Sequence, residues 1–540
     1  MIQTLKRILL FLTLITTLLY FIENNERIGF SNYKPLLDIT HISNEYVLTW
    51  SKIPYFAYYE VEILNRNPNT PPSSIPAYRI AKYRTFDNTI NFDQNFPENT
   101  YLRVSAHSLF HKPIGFYSDS IPISDLKSAD DVKILKPVSI INYPVATPAP
   151  SIPLLMWTVI PGSVYYEIEF LSAPPENPND IQPSRYQIFS SREVFTNGYH
   201  INLSSYSTNH LYWRVRALNF NGEPIGVFSD ANEIFINHKL PQILKPISNA
   251  GYKEANMPMP LYPVYSWIPI IEAITYEVEL TTAPPENPNG TMPSKYRTRH
   301  HLVQGGTDYY DEEPLITPGT YYWRVRGLDA NGKPVGVYSD AEPFTVDLTL
   351  GNYAATFGDS ITHGGGAISY SPADLEYSFQ TYLSFPTINI GKSGDTSEAM
   401  VNRFDKDVLP YHPKFLIIMG GSNSLRGGIP ATQVIKELSA IRDKCLVHGI
   451  RPIFLTLPPI NPEAINQAFS EETIPDWQKE FTSVNNFIRK QRYYIDLEPY
   501  FMDENRALPL HYATDGLHLD IEGKKLMALI INSNWDRVTQ

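Results

Sequence analysis

Cysteine is almost missing: Cys445 is the single one in 540 residues, so no intramolecular disulfide can form and the fold must rest on packed cores. Such a chain suits the cytoplasm or a bacterial exterior that dispenses with disulfide staples. Positive charge is also in deficit, with 44 Lys and Arg against 56 Asp and Glu and a net charge of −12. A protein that binds nucleic acid needs a basic footprint for phosphates, so nucleic acid is not expected as a partner. Metal-ligand spacings such as H-E-x-x-H or C-x-x-C do not occur, and no metal is expected. The glycines at 364–366 lack the lysine of a phosphate-cradling loop, so no cofactor is implied either.

Lys6 and Arg7 precede an uncharged run, Ile8–Ile22, after which Glu23, Asn24, Asn25 and Glu26 return to polar sequence. A positive segment before an apolar stretch is an export signal. The run falls short of the about 20 residues a spanning helix needs, yet no small-x-small cleavage pattern follows it. Residues 1–30 are therefore expected to be a signal anchor or a signal peptide. As an anchor, the apolar segment would hold the membrane, with the basic residues inside and the rest of the chain sent outward. The expected location is membrane-anchored facing outside the cytoplasm, or secreted.

What is abundant is proline (46), tyrosine (36) and phenylalanine (26), a bias toward β-structure with many turns. The length suggests about three to five domains. Self-comparison gives a period near 110 residues. Trp157 and Trp267 head segments that share YYEIEF (165–170) with TYEVEL (275–280), and both run on into APPENPN. YWRVRAL (212–218) and YWRVRGL (322–328) follow, then NGEPIGVFSD and NGKPVGVYSD. A weaker copy holds Trp50, YYEVEIL (58–64) and YLRVSAH (101–107). Apolar and polar residues alternate with period 2, the pattern of antiparallel strands, so the arginines of R-V-R are expected to face water. The early-strand tryptophan, the Y-E-V-E strand and the Y-x-x-R-V-x-A strand resemble fibronectin type III domains, apart from the expanded proline-rich loop. The resemblance implies three antiparallel β-sandwiches at 34–125, 133–238 and 242–347. Their expected role is a spacer or a surface that binds carbohydrate or protein.

After Val346 the pattern changes. Apolar runs (YAATFG, PTINIG, KFLIIMG, RPIFLTL, YYIDL) alternate with helical periodicity near 374–384, 396–408, 430–448, 474–490 and 521–534. Buried strands alternating with helices imply a parallel sheet covered on both faces, an α/β three-layer domain over 349–540. Such a domain is expected to fold alone. Its chemistry belongs at the carboxyl ends of the strands. Phe357-Gly358-Asp359-Ser360, Asn389 to Thr396, Gly421-Ser422-Asn423-Ser424 and Asp515-Gly516-Leu517-His518 all stand at such places.

These four blocks resemble those of the SGNH (GDSL) hydrolase family. The resemblance implies Ser360 as nucleophile, His518 as its base and Asp515 as the residue that orients the base. It also implies an oxyanion hole made of the Ser360 and Gly394 N–H groups and the Asn423 amide. Ser424 stands where the family usually has aspartate. The residue types suit acyl transfer, because a serine hydroxyl needs an adjacent imidazole and the developing oxyanion needs aimed donors. Among other histidines, His363 is a structural or pocket-lining residue, His412 and His448 read as surface, and His511 lies near the last block. The expected function is an extracytoplasmic serine esterase acting on carboxylic esters, with acetylated polysaccharide or lipid as substrate. Two rivals stay open: an O-acyltransferase on the same scaffold, and a surface adhesion protein with a vestigial hydrolase domain.

Overall fold

The computed structural model describes residues 33–42, 45–53, 57–64, 79–93, 101–108, 111–122, 135–160, 162–206, 211–367, 370–503 and 505–540. The Ile8–Ile22 run lies outside them. Among the described residues no helix is long and apolar enough to cross a membrane. The chain divides into two compact units, one of residues 1–133 with 496–507 and one of 134–495 with 508–540.

The first unit is β-rich. Leu37–Ile42, Glu45–Trp50 and Thr89–Asp93 form one antiparallel sheet, and Ala57–Leu64 pairs with Arg79–Thr85 and Tyr101–Ser108 in another. Tyr33 stacks on Tyr500 at 5.7 Å, which ties the 496–507 segment to this unit.

In the second unit, the two further repeats obey the same grammar. Tyr165–Leu171 pairs with Leu211–Leu218, and Thr275–Thr281 pairs with Gly319–Leu328, antiparallel throughout. Alternate residues of the R-V-R strand build the core: Trp213 and Val215 pack with Trp157 and Phe170, and Trp323 and Val325 pack with Trp267. The arginines do not face water. Arg214 and Arg324 are fully buried, each within 2.6–2.7 Å of a carboxylate on the neighbouring strand, Glu169 and Glu279. The proline-rich loop is the reason. It folds back over this face, so that Asn177 O accepts from Arg214 at 2.9 Å and Asn287 O from Arg324 at 3.1 Å. Phe228 and Tyr338 cover the guanidinium groups with their rings, at 4.1 and 3.9 Å. Period 2 reports which residues share a face, and a loop can bury both faces.

The C-terminal region holds a five-stranded parallel sheet in the order Ile388–Asn389, Ala354–Gly358, Phe415–Met419, Arg451–Leu455, Tyr494–Ile495. The central strands are buried along their length, which is why they read as unbroken apolar runs. Strand order reverses beside Ala354–Gly358, and right-handed crossovers then send the helices to opposite faces. Ser397–Asp407, Ala431–Val447 and Trp477–Arg489 pack together, while Ile521–Thr539 packs on turns at 375–382. The helix expected near 374–384 is instead two 3₁₀ turns, Leu375–Tyr377 and Phe379–Tyr382, separated by extended Ser378. Gln380 explains the break, since its buried amide donates to Thr356 Oγ1 and Thr362 O at 2.9 and 2.8 Å.

Candidate active site

Three chain segments leave the sheet at its carboxyl edge around the reversal point. Ser360 begins a short helix after Ala354–Gly358, and the Asp359 carboxylate caps it by accepting from Ile361 N at 3.1 Å. The loop after Ile388–Asn389 carries Gly394, and the turn after Phe415–Met419 carries Asn423. A fourth segment, Asp515 to His518, precedes the C-terminal helix.

The structure brings all of these together. His518 Nε2 lies 2.9 Å from Ser360 Oγ, and His518 Nδ1 lies 2.8 Å from Asp515 Oδ2. A carboxylate can only accept, so Nδ1 carries the proton and Nε2 is free to accept from the serine. Asp515 is fully buried, and its other oxygen accepts from Leu517 N and His518 N at 2.8 and 2.7 Å. Four residues thus fold into a closed turn around the orienting carboxylate. Gly516 at its tip has φ +77°, and a Cβ there would meet Asn461 O at 2.5 Å.

Gly394 has φ +81° with open space around it, so conformation and not crowding asks for glycine here. Asn423 donates one amide N–H to Asp395 O at 3.0 Å, which leaves its second for a ligand oxygen. Arg403 fastens the loop to the first strand by donating to Ile390 O at 2.9 Å and Gly358 O at 3.0 Å, and it pairs with Asp395. Burial raises the Asp395 carboxyl, and Arg403 opposes the shift. Ser424 accepts from Ser397 N at 3.0 Å, and Ser397 Oγ in turn donates to Glu437 at 2.5 Å. A carboxylate from the neighbouring helix therefore stands behind the serine at this position.

The residues enclose a cleft of about 630 Å³. Sequence reasoning missed several of its walls: Arg426, Phe469, Glu471, Glu472, Tyr370 and Tyr310. Tyr310 comes from the third repeat, and no motif or periodicity marks any of them. Beneath the site Lys524 is buried and donates to Ile361 O at 3.0 Å. Burial pushes its pKa down to about 8, against the pull of Asp520, Asp515 and Asp359. Burial likewise pushes Asp359 and Asp520 up to about 6.

The remaining histidines are dispersed. His363 is buried, with Nε2 2.9 Å from Tyr262 O, while His412, His448 and His511 are exposed. Among the described residues no group of three or more His, Cys, Asp and Glu side chains is placed to hold a metal ion.

Comparison with known proteins bears on residues 356–526, which match the GDSL-like Lipase/Acylhydrolase family; the β-rich repeats lie outside that match. The chain is 28% identical to the thioesterase 1/protease 1/lysophospholipase L1 of Escherichia coli K12 over 198 residues, 34% of this chain and 86% of that protein. A putative acylhydrolase of Bacteroides fragilis is similar at 22% identity and a TM-score of 0.29, covering 35% of this chain and 88% of the other. A lipase/acylhydrolase of Enterococcus faecalis is similar at 22% identity and a TM-score of 0.29, covering 35% and 97%. With the family's match spanning the segment that gathers Ser360, His518 and Asp515, the C-terminal region is a GDSL-like lipase/acylhydrolase domain and the protein is a carboxylic ester hydrolase.

Proposed function

We propose that this protein is an extracytoplasmic serine esterase that removes short acyl groups, foremost O-acetyl groups on glycans, through a Ser360 acyl-enzyme. The observation that carries the reading is the unbroken series of contacts from Asp515 through His518 to Ser360 in the lining of the cleft. As His518 takes the hydroxyl proton, Ser360 Oγ attacks the ester carbonyl and a tetrahedral oxyanion forms. The N–H groups of Ser360 and Gly394 and the free amide N–H of Asn423 receive it. His518 returns the proton to the leaving alcohol. Water, activated by the same imidazole, then releases the acid.

A small acyl group fits the character of the cleft. Its walls are glycines, tyrosines and the charged side chains of Arg426, Glu471 and Glu472, with Phe469 and Leu517 as apolar members. A long acyl chain needs a wider apolar trough than this lining offers. Tyrosine rings beside carboxylates suit a polyhydroxyl leaving group, which stacks on aromatics and donates to acids. The basic-then-apolar sequence ending at Ile22 supports export. The β-rich repeats that precede the esterase in the chain are read as fibronectin-like sandwiches.

The test is turnover of nitrophenyl esters from acetate to palmitate by the whole protein, with acetate release from acetylated glycans alongside. Highest kcat/KM on acetate, lost in Ser360→Ala, supports the reading. Preference for palmitate would instead point toward the lysophospholipid and thioester chemistry in the E. coli relative's name. Transfer of labelled acetyl to a sugar in place of water would make it an acyltransferase.

A further inference from the structure

We propose that His363 is a positioning residue for the oxyanion loop, and that the third repeat sets it through Leu261 and Tyr262, so that this repeat is a working part of the ester-hydrolysing site. The proposal rests on the reading of Ser360 and Gly394 given above. The third repeat and the hydrolase domain belong to one compact unit.

The chain of contacts starts at a backbone carbonyl. Tyr262 O can only accept, so the His363 proton sits on Nε2, 2.9 Å away. Nδ1 is then a bare acceptor. It takes the Ser393 N–H at 3.3 Å and the Ser393 hydroxyl at 3.0 Å. Ser393 immediately precedes Gly394, which lines the cleft, so the imidazole anchors the residue whose following peptide carries the Gly394 N–H. The ring is buried, and burial holds its pKa down to about 4, which keeps Nδ1 free to accept at neutral pH.

The same two repeat residues grip the loop elsewhere. Leu261 N donates to Asn389 O at 2.9 Å, while Asn389 itself bridges His363 O (2.8 Å) and Gly391 N (2.9 Å). Tyr262 OH donates to Asp407 at 2.7 Å, beside the Arg403 that binds Asp395. Glu312 of the repeat pairs with Lys392 at 2.7 Å, and the Tyr310 ring meets His363 edge-on at 5.9 Å while walling the cleft. A packing histidine would need none of these aligned donors and acceptors. Here they end on His363, on Asn389, Lys392 and Ser393 of the loop, and on Asp407 beside Arg403.

The test compares His363→Phe, His363→Gln and Ser393→Ala in the whole protein, with Ser360→Ala alongside. Phenylalanine keeps the ring and removes both nitrogen contacts. Glutamine restores one donor and one acceptor on a short planar group. His363→Phe should lower kcat on nitrophenyl acetate by about 10- to 100-fold, the cost of a slightly misplaced group, with KM nearly unchanged. Labelling of Ser360 by a serine-reactive phosphonate should slow in parallel, because phosphonylation builds charge on the same oxygen. His363→Gln should recover most of both. Ser393→Ala, on a partly exposed side chain, should cost about 3- to 10-fold in kcat for one neutral hydrogen bond. If His363→Phe fails to fold, Ser393→Ala decides. Wild-type kcat in the folded variants, with Ser360→Ala inactive, overturns the proposal alone. Turnover surviving in Ser360→Ala overturns the reading of the site beneath it.

Discussion

His518 Nε2 and Ser360 Oγ stand 2.9 Å apart across 158 residues of sequence. The fold, and not closeness in sequence, makes the pair. The serine is delivered by the end of a buried strand and the histidine by a turn closed on the Asp515 carboxylate. Two rigid elements therefore meet with their reactive atoms already in hydrogen-bond range, which is the geometry that concerted proton transfer requires.

Because the two side chains act as one unit, their losses should not add. Ser360→Ala and His518→Ala are each expected to reduce nitrophenyl ester turnover to near background, and the double variant to be hardly worse than either. Steady-state kinetics on the three proteins checks this. A folded Ser360→Ala protein that keeps most of its activity would refute the serine mechanism.

Asn423→Ala should lower kcat by about 10²–10³, equivalent to about 2.7–4 kcal/mol of oxyanion stabilisation, while the acyl-enzyme still forms. Asp515→Asn should harm turnover deeply but incompletely, since Asp515 orients the imidazole without taking its proton. Burst kinetics with a slow ester distinguishes the two. An Asn423→Ala protein with wild-type kcat would remove this side chain from the oxyanion hole.

Much of the site was legible because parallel strands buried on both faces advertise themselves as apolar runs, and Ser360, Gly394, Asn423 and His518 each follow such a run or precede the last helix. The cleft walls were not legible. Arg426 and Tyr310 come to line one cleft only when the sheet and the third repeat are in place, and nothing local encodes that. The arginines of the R-V-R strand misled for a related reason, since alternation cannot reveal that the loop at Asn177 closes over Arg214. At 374–384 local helical spacing yielded to the tertiary hydrogen bonds of Gln380.

The ladder under that loop has its own energetic signature. Removing one partner of a buried pair leaves an uncompensated charge, so Arg214→Met should destabilise by about 3–5 kcal/mol. Replacing both partners, Arg214→Met with Glu169→Leu, should recover a large part of that loss, although Ser184 N then loses its acceptor at 2.8 Å. Denaturant unfolding followed by tryptophan fluorescence reads both. An Arg214→Met protein with an unshifted midpoint would show that the pair contributes little.

Asp374 makes stability depend on pH. Burial and the nearby Glu376 push its carboxyl up to about 7 from an ordinary 3.8, although it accepts from Ser371 N at 2.9 Å. Between those two values the folded chain binds a proton that the unfolded chain has released, so stability falls as pH rises and the penalty is complete above about 7. Asp374→Asn removes the charge and should raise the apparent Tm at pH 8 while leaving it nearly unchanged at pH 4. Calorimetry at the two pH values tests the sign. Equal shifts at both would show that the substitution acts through packing.

The sequence boundary at residue 349 cuts through a shared core. Ala373 and Leu375 of the hydrolase domain belong to the same apolar cluster as Trp267, Val278 and Trp323 of the third repeat. Tyr252 OH donates to Pro372 O at 2.7 Å from that repeat, and the Tyr370 hydroxyl meets Ser163 and Tyr166 of the second. Cutting at 349 exposes this apolar surface and strands the Tyr370 hydroxyl, each at a cost of about 1–3 kcal/mol per group. A 349–540 fragment should therefore melt earlier than the whole protein, bind a hydrophobic dye and turn over nitrophenyl acetate more slowly. A 134–540 fragment, which keeps both repeats and loses only the Tyr33 partner of Tyr500, should stay closer to the whole protein in kcat and Tm than the 349–540 fragment does. Equal stability and activity in the 349–540 fragment would show that the repeats merely lean on a self-sufficient hydrolase.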